Sequence, residues 1–201
     1  MDIIVSPDEV DLLECEVLVC GFFEDERPLR GSCGWVDWRL NGRISHFIEE
    51  KKLKGKWEEV ILIPTQGRLQ SPFLLLFGLG KVREYSYLRV REMVPFLLRP
   101  VKRLSVSKVS FSLPYHEDYH VDCGKLIEVL LEGIADCLEL EPFISEQDWI
   151  KNLQLFFGEG EGRFSEILFG VKTAKLILND RIPIRILVPA ETTPSPSIEV
   201  Y

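Results

Sequence analysis

Apolar and polar positions alternate in blocks along the chain. Five short, largely apolar runs lie at residues 17–23, 60–63, 73–77, 109–113 and 153–157, each bounded by turn, polar or charged residues. Runs of four to seven apolar residues with such boundaries predict buried strands. Most lack strict alternation, which predicts burial on both faces of a sheet. The run 109–113 differs, because Ser110 and Ser112 alternate with its apolar positions. A weaker sixth candidate covers 182–188, where Pro183 demotes it toward a sheet edge.

Between these runs the apolar spacing becomes helical. Val36, Leu40, Ile44 and Phe47 form one stripe. Val90, Val94, Leu97, Val101 and Leu104 form a second, which Pro95 and Pro100 are expected to kink or split. Ile127, Leu130, Leu131, Ile134 and Leu138 form a third, with Asp122 placed to cap it. Phe164, Ile167, Leu168, Val171 and Leu178 form the last. Strands alternating with helices predict an α/β fold: a three-layer α/β/α sandwich around a mostly parallel, mixed sheet of five to six strands. The adjacent runs at 60–63 and 73–77 break the alternation, and the linker 64–72 suits a hairpin loop. Residues 1–181 read as one domain. Residues 182–201 read as an edge strand or an extended tail, and 189–201, rich in Pro, Ser and Thr, as a flexible tail or docking arm.

Composition narrows the partners. The chain has 201 residues, 46% hydrophobic and 28% charged, with a net charge of −8. That excludes a disordered chain, and no apolar run approaches the roughly 20 residues of a membrane span. The opening MDIIVSPDEV is acidic where a signal peptide needs positive charge, so a cytoplasmic protein is expected. The five cysteines, Cys15, Cys20, Cys33, Cys123 and Cys137, are odd in number and scattered, which predicts reduced and mostly buried thiols. The acidic balance disfavours nucleic acid as a partner. Residues 81–103 are the exception, with seven bases against Glu84 and Glu92. They read as a solvated helix face, or as a DNA-contacting face of an accessory protein.

Three segments could carry chemistry. In the first, Gly78, Gly80 and Lys81 close a strand, where glycine lets a ligand approach the backbone and lysine can meet a phosphate. The spacing matches neither a Walker A loop nor the full dinucleotide motif, and a tight strand-to-helix turn serves equally. In the second, Gly158, Gly160 and Gly162 alternate with Glu159 and Glu161 after the strand at 153–157. The position suits a ligand loop at a strand end, but the acids repel phosphate, so an acidic, flexible turn is expected. The third holds His116, Glu117 and His120 in the letters of the H-E-x-x-H zinc motif, with Glu139 or Glu141 as a third ligand. It follows Pro114 and precedes the cap Asp122, so a loop is expected, in which that spacing fixes no metal geometry. No metal or other cofactor is assigned. No paired nucleophile and base is evident, and Trp35 and Trp38 read as packing residues.

Taken together, these segments resemble the N-terminal domain of the leucyl (cytosol) aminopeptidases. The resemblance rests on Val19-Cys20-Gly21-Phe22-Phe23-Glu24-Asp25, Leu29 and Gly31, then Leu40-Asn41-Gly42-Arg43-Ile44 and Leu53-Lys54-Gly55-Lys56. It ends in Phe73-Leu74-Leu75-Leu76-Phe77-Gly78-Leu79-Gly80-Lys81. The order and spacing match from about residue 14 to 90. The resemblance implies a macro-domain-like sandwich that precedes, and does not contain, the metallopeptidase domain. It also implies a role in assembly or regulation, in a family that forms hexamers. The family's Asn-Thr-Asp-Ala-Glu-Gly-Arg metal motif is absent from the sequence. The expected function is therefore a non-catalytic, stand-alone homologue acting as an interaction, assembly or regulatory module through self-association or a protein partner. A macro-like module for ADP-ribose or another nucleotide is the alternative.

Overall fold

A computed structural model describes residues 1–140 and 147–189. Glu141, one of the two candidate third ligands, and the tail 190–201 lie outside the described residues. The strands are β1 (Asp2–Val5), β2 (Val17–Phe22), β3 (Val60–Pro64), β4 (Phe73–Gly78), β5 (Lys108–Ser112), β6 (Gln154–Phe157) and β7 (Arg185–Leu187). The helices are α1 (Gly31–Arg39), α2 (Arg43–Glu49), α3 (Tyr87–Arg103), α4 (Cys123–Leu140), α5 (Gln147–Asn152) and α6 (Glu161–Leu178).

The strands form one sheet in the order β3-β4-β2-β5-β6-β1-β7. Among the described strands only the hairpin partner β3 runs antiparallel, and the other strand pairings are parallel. The α/β class and mixed sheet match the sequence reading. The seventh strand is β1, which enters between β6 and β7, and β7 is the expected edge strand.

Strand alternation divides the core in two. Val17, Val19, Leu75, Phe77, Val109, Phe111, Leu155 and Phe157 pack with α3, α4 and α6 on one face. Leu18, Cys20, Phe22, Leu74 and Leu76 pack with α1 and α2 on the other. Burial of alternate residues on opposite faces makes the three layers. All five cysteines are buried and free, as their scatter predicts.

Two helix predictions change. The first stripe is two helices, because Asn41 and Gly42 take left-handed backbone with φ 57 and 71°. The Asp37 carboxylate then caps α2, accepting from the Ile44 amide at 2.7 Å and from the amide and hydroxyl of Ser45. The second stripe stays a single 17-residue helix through Pro95 and Pro100. Its buried face of Val90, Val94, Leu97 and Val101 supplies the packing that offsets the lost backbone bonds. Asp122 does cap α4, accepting from the Lys125 amide at 2.8 Å.

Helices α4 and α6 touch through glycine. A Cβ on Gly170 would lie 2.2 Å from the Gly124 carbonyl oxygen. Replacing Gly170 by alanine is expected to destabilise the fold by about 2 kcal/mol in denaturant unfolding, because this backbone overlap outweighs the roughly 1 kcal/mol of helix propensity alanine gains.

Candidate functional site

The parallel strands end at one edge of the sheet, where open α/β folds bind ligands. Three pieces meet there: the start of α1, the end of β5, and the β6–α6 loop. Their meeting point is Glu159. Ser112, the last residue of β5, donates to Glu159 Oε1 at 2.6 Å. Ser32, in the first turn of α1, donates to Glu159 Oε2. Glu159 is half-buried, and burial pushes its carboxyl group up to about 7. The two serine hydroxyls oppose that shift, the Glu9 carboxylate adds to it, and Arg163 works against it. The sequence reading is a flexible acidic turn here; the Glu159 side chain turns inward onto Ser32 and Ser112. Glu161 is exposed.

Strand β1 explains the loop's glycines. The chain leaves β1 through Ser6, whose amide donates to the Phe157 carbonyl, and the Gly160 amide donates to the Asp8 carbonyl. A Cβ on Gly158 would lie 2.7 Å from the Asp8 oxygen, and one on Gly160 2.5 Å from Glu9 Oε1. Gly160 also has φ 80°. Glycine at both positions is explained by this close approach. Beside them Glu9, Ser32, Trp35, Tyr115 and Glu159 line a cleft of about 350 Å³. Tyr115 continues into a second cleft of about 520 Å³ lined by His116, His120, Asp122, Arg163 and Glu166. Arg163 lies over the Tyr115 ring at 5.0 Å. Below Glu159, contact with Cys33 and then burial raise the Cys20 thiol well above its ordinary range.

The other glycine segment lies elsewhere on the same edge. Strand β4 is separated from β6 by β2 and β5, a span of roughly 14 Å at sheet spacing. The amides of Gly78, Leu79 and Gly80 donate to the carbonyls of Glu59, Phe22 and Gly55. Lys81 is exposed beyond them. Gly78 and Gly158 therefore do not meet in one site, and the Gly78–Gly80 amides are spent on packing the turn.

The histidines share the larger cleft without forming a metal centre. Glu117 to Tyr119 is a short 3-10 turn, as the loop reading expects. His116 accepts from the Asp118 amide and lies 3.3 Å from the Asp118 carboxylate. Glu139 is taken by Arg181 at 2.7 Å. Among the described residues no group of three His, Cys, Asp or Glu side chains could hold a metal ion. Three bases of the basic segment have partners on the surface. Arg91 pairs with Glu132 and Asp136, Arg89 lies 4.5 Å over Trp57, and Lys102 covers Trp149.

Sequence reasoning misplaced one surface. Trp35 and Trp38 stack on each other with ring centres 5.0 Å apart. They are 42% and 64% exposed, so they do not serve as core packing. Arg39 covers both rings and pairs with the buried Asp11 at 2.5 Å, and the Trp35 indole N–H donates to Asp11 at 3.0 Å. The i, i+3 spacing of two tryptophans was the available signal.

The family model described as "Cytosol aminopeptidase family, N-terminal domain" matches residues 19–136. Among curated relatives, "Probable cytosol aminopeptidase" of Sulfurihydrogenibium sp. is 24% identical over 151 residues, covering 74% of this chain and 29% of that protein. The protein of the same name from Synechocystis sp. is 27% identical over 169 residues, covering 80% of this chain and 34% of that protein. The chain thus spans about a third of the length of these relatives. Among solved structures, an Oceanobacillus iheyensis macrodomain with ADP matches with a TM-score of 0.61 at 15% identity, covering 86% of this chain and 90% of that one. A Trypanosoma brucei macrodomain in complex with ADP matches with a TM-score of 0.62 at 13% identity, covering 84% of this chain and 68% of that one. These likenesses show a macrodomain fold. Among the described residues no helix is long and apolar enough to cross a membrane.

Proposed function

Because the chain belongs to the cytosol aminopeptidase family through that family's N-terminal domain, we propose that it is a non-catalytic interaction module that docks on a second copy or on another protein. The carrying observation is the exposed Trp35–Trp38 stack under Arg39. Tryptophan and arginine dominate binding hot spots. Large aromatic surface left in water on a folded domain favours a partner that covers it.

Sedimentation velocity across a concentration series tests the docking. The expected result is concentration-dependent association that Trp38→Ala abolishes without lowering the melting temperature, since the side chain is exposed. A parent that stays monomeric, together with turnover of a leucyl substrate in manganese or zinc, overturns the reading.

A nucleotide-binding role is the second reading, favoured by the macrodomain fold and by solved relatives that carry ADP. Against it stands the acidic lining of the strand-end cleft, where Glu9 lies beside Glu159. Titration calorimetry with ADP-ribose at pH 6, with Glu159 held inside the cleft, is expected to give no heat up to millimolar ligand. Saturable binding there promotes the second reading over the first.

A further inference from the structure

We propose that Glu159 is a pH-responsive latch on the strand-end cleft: its carboxyl group joins α1, β5 and the β6–α6 loop while inside, and the loop carries it outward once it is charged. The joining is direct, because Ser32 and Ser112 each donate to one of its two oxygens and belong to different elements. Among the described residues no other side chain in the cleft ties these three pieces together.

The surroundings suit the neutral form. From α1 the latch faces Ser32, and from β5 it faces Ser112. Cys20 of β2, with its neighbour Cys33 of α1, lies close enough for charge on Glu159 to act on it. Tyr115, after β5, and Cys123 of α4 feel the same charge. From the segment after β1 comes Glu9, a second carboxylate, whose oxygen packs against Gly160. The nearby cation on α6 is Arg163, and its hydrogen bonds go to Glu166 at 2.8 and 2.9 Å. A charged Glu159 therefore has two neutral hydroxyls as direct partners, a like charge as neighbour, and a cation committed elsewhere. Burial and Glu9 both favour the proton, and the group changes charge near neutral pH.

The far end of the loop has room: Gly162 meets nothing within 4 Å of a would-be Cβ. The adjoining cleft of about 350 Å³ gives the side chain a way out past Trp35 and Tyr115.

Hydrogen exchange of the full chain, read on the amides of residues 158–163 at pH 6, 7 and 8, tests the latch. Rates are corrected for the intrinsic pH dependence of exchange. The Gly160 amide, bonded to Asp8 when the loop is closed, is expected to lose about tenfold or more of its protection between pH 6 and 8. Amides of β4 keep theirs. Glu159→Gln should keep the loop protected at both ends of the range. Glu9→Gln, a change at an exposed position, should move the midpoint of the loss to lower pH by removing the repulsion. Unchanged protection in the parent, an equal loss in Glu159→Gln, or an unmoved midpoint in Glu9→Gln overturns the proposal.

Discussion

Replacing Glu159 by glutamine should raise the melting temperature at pH 8 and leave it unchanged near pH 4.5. The folded chain holds a proton on Glu159 up to about pH 7, whereas an ordinary glutamate releases it near 4.5. Between those values the folded state binds more protons than the unfolded state, so stability falls as pH rises. The contribution is fully present below pH 4.5 and lost above pH 7. The difference corresponds to about 3 kcal/mol, or a rise of about 6–12 °C for a domain of this size. Glutamine has the same shape and can exchange hydrogen bonds with both serine hydroxyls, yet it carries no charge to bury. Melting curves of both proteins across this pH range check the effect. An equal difference at every pH would show that packing, not ionisation, sets it.

Substituting Gly78 by alanine should cost about 3 kcal/mol or more, at the upper end of overpacking effects. A Cβ there would lie 2.0 Å from the Lys56 carbonyl oxygen and 2.7 Å from the Gly55 carbonyl carbon, both backbone atoms. The segment cannot step back freely, because the Glu59 carboxylate accepts from the Lys54 and Gly55 amides at 2.9 and 2.6 Å. The Gly80 amide fixes the Gly55 carbonyl from the other side. Lys81→Ala, at an exposed neighbour, should fall within about 0.5 kcal/mol of the parent. Urea unfolding of the two variants separates a packing role for this glycine turn from a ligand role, since a ligand role alone predicts little loss of stability at Gly78.

The central strands were legible because they are buried on both faces and so are apolar without interruption. Strand β1 was not, since four residues beginning with Asp2 give too short a pattern, and the strands they join lie far away in the sequence. The break between α1 and α2 was written in Asn41-Gly42, but the apolar stripe runs through it in register. Pro95 and Pro100 signalled a break that packing of the buried face overrides. The candidate site was half visible. The strand-end position of the loop at 158–162 followed from element order, but sequence shows the charge of Glu159 and not its direction. Its inward turn depends on Ser32, Ser112 and the β1 exit, three separate parts of the chain.

Strand β1 also sets an order of events during synthesis. Its ladder partners, Gln154–Phe157 and Arg185–Leu187, leave the ribosome some 150 and 180 residues after it. At about 5–20 residues per second, the first strand waits roughly ten to thirty seconds without either neighbour. Strands β2 to β5 can pair among themselves meanwhile. The order of synthesis therefore allows the sheet to grow outward from β2 to β5, with β1 placed only once β6 has been made.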